Sequence, residues 1–168
     1  MSDVNPPELG LLSKLVIAFA ILLIAAGVYW HGAAEDVVER LWANLTGRPS
    51  GRMSFRFILQ PSMAAIAAIH DGRKDARAGR SPFLWTVLRE PQERVQRLNE
   101  ALNATARIIL LGLAMDVVYQ FIELEEFYPV EALIIALLLA FVPYLLIRGP
   151  AARIARRWRG DESAREIR

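Results

Sequence analysis

Two long apolar runs constrain the fold of this 168-residue chain more than any other feature of its sequence. The first run covers residues 11–30, and the second covers residues 108–147 with one interruption, "ELEEFYP". A helix of about 20 residues is needed to cross a hydrocarbon core of roughly 30 Å. The runs therefore predict transmembrane helices at 11–30, 107–124 and 130–148. We expect an all-α membrane protein with three transmembrane helices plus amphipathic interfacial helices on the cytoplasmic side.

The charges that flank these runs predict how the protein is oriented. Arginine and lysine concentrate on the cytoplasmic side of membrane proteins. The connection between the second and third helices is acidic and has no basic residue, whereas arginines precede the second helix and follow the third. We expect the tip of this hairpin outside and both of its ends in the cytoplasm. The N-terminal tail, "MSDVNPPELGLLS", has two acidic and no basic side chains, which predicts an external N-terminus and a cytoplasmic C-terminus.

The segment 56–74, "RFILQPSMAAIAAIHDGRK", decides how many times the chain crosses the membrane. Its apolar part, 57–69, covers only about 20 Å as a helix, and basic residues flank it on both sides. These features predict a helix that lies in the cytoplasmic interface, or that dips into the membrane and returns, with Pro61 in its first turn and Gly72 at its C-terminal cap. A four-crossing arrangement, with the N-terminus in the cytoplasm, stays open as the alternative.

We divide the chain into four regions on these grounds. Residues 1–30 form the N-terminal tail and first transmembrane helix, and residues 31–106 form an amphipathic cytoplasmic or interfacial region. Residues 107–148 form the transmembrane hairpin, and residues 149–168 form a basic cytoplasmic tail.

Three short stretches of the second region have one apolar face each, which is typical of amphipathic helices. They are 33–47, 81–88 and 91–106. They either pack on the ends of the transmembrane helices or lie in the headgroup layer. We expect the third stretch to continue without a break into the second transmembrane helix, as one helix of about 30 residues.

Basic side chains near the membrane predict contact with anionic lipid headgroups, each contributing on the order of 1 kcal/mol. The basic C-terminal tail is also compatible with nucleic acid, but its place directly after a transmembrane helix favours lipid, so no nucleic-acid partner is predicted. The predicted headgroup contacts are Arg73, Lys74, Arg77, Arg80, Arg153, Arg156 and Arg157.

Asp116 lies within the second apolar run, where an ionised side chain costs about 2.5 to 3.5 kcal/mol. Tyr119 and Gln120 follow at i+3 and i+4 and share its helix face. With an external N-terminus, Lys14 would extend from the same leaflet towards the carboxylate. The sequence thus predicts an intramembrane polar cluster of Asp116, Tyr119, Gln120 and Lys14. Its role stays open between a structural clamp, a proton or ion relay, and a contact with another subunit.

Other residues exclude several chemistries. The chain has no cysteine, so disulfides and thiolate catalysis are excluded. The pairs His31–Glu35 and Asp71–Asp75 supply too few ligands for a metal site. No nucleotide-binding, hydrolase or kinase motif is present. We therefore predict neither an enzyme nor a metal or cofactor.

Four stretches also resemble a family of small bacterial inner-membrane proteins with no assigned activity. They are "RFILQP", "DGRKDARAGRSP", "DVVYQ" and "VPYLLIRGP", and the resemblance covers most of the chain after Arg52. It implies a location in the bacterial inner (cytoplasmic) membrane and supplies no function.

Together these features predict a non-enzymatic accessory or scaffold component of a membrane assembly. Its partners would be anionic lipid and another membrane protein or a second copy of the chain. The alternative is a small transporter or proton-coupled membrane subunit that uses Asp116.

Overall fold

The computed structural model describes residues 8–31, 55–124 and 127–166, together with residues 39, 42 and 46. The described residues are almost entirely helical and contain no strand. A five-residue π-helical segment, Gln120–Leu124, extends the fourth helix. The helices are α1 (Leu11–His31), α2 (Arg56–Arg77), α3 (Phe83–Arg89), α4 (Pro91–Tyr119) and α5 (Pro129–Glu166).

Three of these helices are long and apolar enough to cross a membrane: Leu11–Trp30, Pro91–Ile122 and Pro129–Trp158. This confirms the prediction of an all-α fold with three such helices. The amphipathic helix predicted at 33–47 lies outside the described residues, apart from the three isolated positions.

The fourth helix confirms the prediction of one unbroken helix. α4 has 29 residues and begins with Pro91. Proline has no backbone N–H, and in the first turn of a helix that group would form no hydrogen bond within the helix anyway. The boundary predicted between residues 106 and 107 therefore falls inside a continuous helix, because the amphipathic stretch and the apolar run share one backbone.

Contacts between the helices define two ends of the bundle. We call the end at the connection between α4 and α5 the tip end, and the opposite end the base end. α1 runs from base to tip: the Gly10 N–H and the Ser13 hydroxyl both donate to the side-chain oxygen of Asn103 in α4. Further along α1, the rings of Trp30 and Phe127 lie 6.2 Å apart at the tip.

α2 runs the other way, from tip to base. Arg56 in its first turn contacts Asp116 of α4, and Asp75 near its end contacts Arg148 of α5. α2 therefore packs lengthwise along α5, as a fourth helix of the bundle. This lengthwise packing differs from the predicted placement in the cytoplasmic interface, because Arg56 and Asp75 find charged partners on α4 and α5.

The direction of α1 also corrects the predicted topology. Residues 10–13 of the chain lie at the same end of the bundle as Asn103, and the base end also contains Arg148. The start of α1 and the base-end turns of α5 therefore lie at the same end of the bundle, which does not fit the predicted placement of the two termini on opposite sides of the membrane. The four-crossing alternative fits these contacts.

Small residues let α2 and α5 approach closely. Ala64 and Ala68 of α2 and Ala136 and Ala140 of α5 are completely buried, as expected where helix backbones pack in a membrane. A Cβ on Gly72 would lie 2.8 Å from the backbone oxygen of Arg148 and from the Ala151 Cβ. Gly72 is therefore an interior packing residue and not the predicted helix cap.

The C-terminus of α2 lies further on. Gly79 has a φ of 64°, and the Arg80 N–H donates to the Asp75 carbonyl, which is a glycine-ended Schellman cap. Pro61 lies inside α2, which begins at Arg56, so its predicted place in the first turn is also wrong.

Between Arg56 and Ile69 the exposed face of α2 is apolar, and its buried face holds polar and small residues. Ile58 and Ile66 are 73% and 69% exposed, whereas Arg56 and Gln60 are at most 1% exposed. This is the reverse of a helix on the surface of a soluble protein, where charged residues face outwards. An apolar outer face suits contact with lipid.

We expect Gly72→Ala to destabilise the protein by about 2 kcal/mol, because the added methyl group meets backbone atoms that cannot rotate away. Unfolding in detergent micelles titrated with sodium dodecyl sulfate measures the change. His70→Ala is the control, since that side chain is exposed on the same helix. Equal stability of the two variants would contradict the close packing of α2 on α5.

Candidate functional site: two buried polar clusters

The first polar cluster lies near the tip end, between α2 and α4, and we call it the tip cluster. Arg56 Nη2 lies 2.5 Å from an Asp116 oxygen, and both side chains are buried. The Gln120 amide donates to the other Asp116 oxygen at 2.7 Å. The Gln120 oxygen accepts the Tyr128 N–H at 2.7 Å, which ties the cluster to the start of α5.

Three of the four residues predicted for this cluster are brought together. Asp116 and Gln120 are completely buried, and the Tyr119 ring centroid lies 6.0 Å from the Arg56 guanidinium carbon. The cation, however, is Arg56 and not Lys14. Lys14 is exposed in the turn bound to Asn103, which precedes Asp116 by 13 residues, or about 20 Å of helix. The predicted pair is wrong because α1 runs parallel to α4.

Gln60 lies one turn after Arg56 and faces Gly112 of α4. A Cβ on Gly112 would clash with the Gln60 amide nitrogen, so glycine makes room for this side chain. Neither the Gln60 amide nor the Nε and Nη1 atoms of Arg56 have a hydrogen-bond partner among the described residues. Buried polar groups are seldom left without a hydrogen-bond partner. Among the described residues, the buried polar atoms that lack such a partner all lie in or next to the tip cluster.

The second cluster lies at the base end, and we call it the base cluster. Asp75 of α2 is its centre and is 2% exposed. Arg148 of α5 donates to both Asp75 oxygens, at 2.7 and 3.0 Å. Arg97 of α4 donates to Asp75 at 2.9 Å. One carboxylate therefore joins three helices through a bidentate arginine and a second arginine.

Neighbouring groups complete the base cluster. Glu100 accepts from Arg148 at 2.9 Å and from Arg80 at 3.1 Å. The Tyr144 hydroxyl donates to Asp71 at 2.7 Å and accepts from Arg148 at 3.0 Å. Every member of this network has a partner, in contrast to Gln60 at the tip.

The short helix α3 is attached to the base cluster through Phe83. Its ring lies 4.5 Å from the Arg148 guanidinium carbon and contacts Tyr144 edge-on. Arg94 of α4 donates to the Val87 and Leu88 carbonyls, which caps the C-terminal end of α3. The position of α3 therefore depends partly on Arg148, which also belongs to the base cluster.

The electrostatics of Asp75 follow from its partners. Asp75 lies beyond the apolar part of α2. Burial raises the pKa of its carboxyl, but the hydrogen bonds and charges of Arg148 and Arg97 outweigh burial and hold the pKa below its ordinary value. Asp75 is therefore ionised at neutral pH, and the base cluster is a network of fixed charges.

Two adjoining cavities open at the base end. One of about 410 Å³ is lined by the base cluster, and another of about 420 Å³ lies against the first turn of α1. They share Asn103 and Ala104. Within the described ranges no three His, Cys, Asp or Glu side chains come together as metal ligands.

The seven residues predicted to contact headgroups lie in two groups at the base end. Four lie at or just after the end of α2, and three lie on α5 beyond Arg148. Two of them are held by protein: Arg80 pairs with Glu100, and Arg156 donates to the Arg80 carbonyl. Lys74 lies 3.7 Å from Asp71. The others are exposed and form no ion pair with another described residue: Arg73, Arg77, Arg153 and Arg157.

No family model, curated protein or solved structure matches this chain. The resemblance to small bacterial inner-membrane proteins therefore stays a prediction, and the function has to be argued from the two clusters.

Sequence reasoning missed Arg56, Asp75 and Arg148 as site residues. Arg56 and Gln60 are four residues apart, and the same spacing continues through Ala64, Ala68 and Gly72. This stripe of polar and small residues at helical spacing is a signal that could have identified an inward-facing side.

We expect Asp116→Asn to lower the free energy of unfolding by about 3 kcal/mol, because Arg56 is left buried without its counter-charge. Replacing both partners, as Arg56→Met with Asp116→Leu, is expected to restore stability to within about 1 kcal/mol of the wild type. The measurement is unfolding in mixed micelles. Glu93→Gln, an exposed carboxylate-to-amide change, is the control. A double variant no more stable than Asp116→Asn would contradict the ion pair as the main interaction of Asp116.

Proposed function

We propose that this protein is a non-enzymatic integral component of the bacterial inner membrane, acting as an accessory or scaffold protein of a membrane assembly. The observation that carries the proposal is that the buried charges of the base cluster are paired between helices. In the base cluster each buried charge contacts a charge on another helix, so the polar interior braces the bundle.

The membrane placement rests on the distribution of apolar residues. α1, α4 and α5 have the length and hydropathy of membrane-crossing helices, and α2 lies beside α5 with an apolar outer face. We infer four crossings. Because the unpaired arginines lie at the base end, the positive-inside tendency places that end in the cytoplasm, together with the start of α1.

A mostly apolar layer between the two clusters favours a scaffold over a channel. Gln60 and Asp71 are separated by 11 residues, or about 16 Å of α2. The buried residues between these levels are mainly apolar, and they include Ala64, Ala68, Ile109, Leu113 and Ala140. Thr105 is buried there too, but its hydroxyl donates to the Ala101 carbonyl of its own helix and does not link the two clusters.

The proposed docking surface is the outer side of α3. Its Phe83 and Thr86 are buried against the bundle, whereas Trp85 and Leu88 are 50% and 71% exposed. Arg89 stacks over Trp85 with 4.2 Å between its guanidinium carbon and the ring centroid. An exposed tryptophan with an arginine is typical of residues that dominate protein interfaces.

The four-crossing arrangement makes a direct prediction for single cysteines in this cysteine-free chain. Glu8→Cys and Arg157→Cys should both be shielded from a membrane-impermeant maleimide added outside, and Glu126→Cys should react. Labelling of intact and permeabilised cells measures this. External labelling of the Glu8→Cys protein would contradict the placement of α1.

The scaffold proposal predicts a protein contact at α3. A photoreactive phenylalanine at Leu88 should give a crosslinked adduct of discrete mass in membranes, to a second copy or to another protein. Leu111, exposed on the membrane part of α4, is the control and should crosslink to lipid only. Trp85→Glu should abolish the Leu88 adduct. Equal protein adducts at both positions, or none at Leu88, would overturn the proposal.

A second candidate, a small transporter or proton-coupled subunit, is favoured by one observation. The tip cluster contains unpaired atoms on Arg56, which contacts Asp116, and on Gln60, one turn further along α2, as in a site that receives a polar solute. The folded double variant, Arg56→Met with Asp116→Leu, discriminates between the two functions. If the protein is a scaffold, this variant keeps the Leu88 adduct. If the protein is a transporter or proton-coupled subunit, the variant loses the transport of its solute or of protons.

A further inference from the structure

An apolar groove lies on the outer surface of the bundle, between α2 and α5 at the base end. Its volume is about 360 Å³. Aliphatic side chains form its walls, among them Ile69 of α2 and Leu146 and Ile154 of α5. Leu146 and Ile154 are more than half exposed, so the groove opens outwards and is not part of either polar cluster.

One cation lines this apolar groove. Among the described residues of its wall, Arg73 is the one with a charge, and it is exposed without an ion pair to another described residue. Arg77 follows one turn later on the same helix, and no carboxylate is among the described residues that line the groove. Trp158, also in the wall, is 68% exposed, and tryptophan favours the boundary between hydrocarbon and headgroups.

We propose that this groove binds one acyl chain of an anionic phospholipid and that Arg73 holds the lipid phosphate. The inference rests on the proposed membrane placement. The order of residues along α5 matches the order of groups in a lipid, since apolar Leu146 and Ile147 come first and the basic segment of Arg153 and Arg157 follows. The unpaired arginines give the site its preference for an anionic headgroup.

The test uses the full-length protein in nanodiscs made from an equimolar mixture of phosphatidylglycerol and phosphatidylcholine. Native mass spectrometry of the released protein measures which lipid stays bound. We expect phosphatidylglycerol to be enriched over phosphatidylcholine, and Arg73→Gln to reduce that enrichment about five-fold, the effect of one headgroup contact. Arg73→Lys, which keeps the charge, should preserve it. Added inorganic phosphate should not displace the lipid, because the acyl chain supplies part of the binding.

Arg107→Gln is the matched control, because Arg107 is exposed and lines the cavity on the α1 side of the bundle. Its phosphatidylglycerol enrichment should equal that of the wild type. An equal loss in both arginine variants would overturn the site in favour of diffuse attraction between basic residues and the membrane.

A second variant tests the groove itself. Ala155→Trp fills the groove without changing charge, and it should reduce the retention of both lipids. Undiminished retention would overturn acyl-chain binding. The groove could instead bind a second copy of the chain. In that case the wild type would show the mass of a dimer, Ala155→Trp would not, and acyl-chain binding would be overturned. The Leu88 crosslink is independent of this groove, so its result separates failure of the lipid site from failure of the scaffold proposal.

Discussion

The bundle depends on one constraint: a charge buried between the helices has to find an opposite charge on a neighbouring helix. Asp75 satisfies it with Arg148 and Arg97, and Asp116 satisfies it with Arg56. Removing one partner of such a pair is much more harmful than replacing both. Charge pairing therefore fixes α2, α4 and α5 relative to one another at the base end, and α2 relative to α4 at the tip end.

Close packing of small residues joins these two ends. Alanines and Gly72 bring the backbones of α2 and α5 together over the intervening turns, and α1 is added on the opposite side through Asn103 at the base and Gly27 at the tip, where a Cβ would clash with Val130. The bundle is thus held by paired charges at its ends and by close backbone contact at its centre. Such packing suits a protein that holds a surface in position, which supports the proposal of a scaffold.

The two polar clusters differ in a way that bears on function. The base cluster is fully paired, and it anchors α3 through Phe83, so it connects the interior with the proposed docking surface. The tip cluster leaves the Gln60 amide and two Arg56 nitrogens without partners among the described residues. The base cluster is thus the structural half of the interior, and the tip cluster is where a solute-dependent role would lie.

The sequence alone determined the properties that depend on local composition. The apolar runs predicted three membrane-length helices, helical spacing grouped Asp116, Tyr119 and Gln120, and the amphipathic stretch before Arg107 predicted one continuous helix. Each of these inferences needs only the residues of one helix. Pairing between helices was not accessible in this way: Lys14 and Arg56 are both basic residues distant from Asp116 in sequence, and only the direction of each helix decides which of them reaches it.

The same reason explains the error over α2. Its apolar part is short and is flanked by charged residues, Arg56 among them, and a rule based on composition cannot tell which face a residue occupies. The tertiary structure turns Arg56 and Asp75 inwards, where α4 and α5 provide opposite charges, and leaves Ile58 and Ile66 outside. Whether a polar residue prevents a helix from entering the membrane depends on its partner, and the partner is decided by packing.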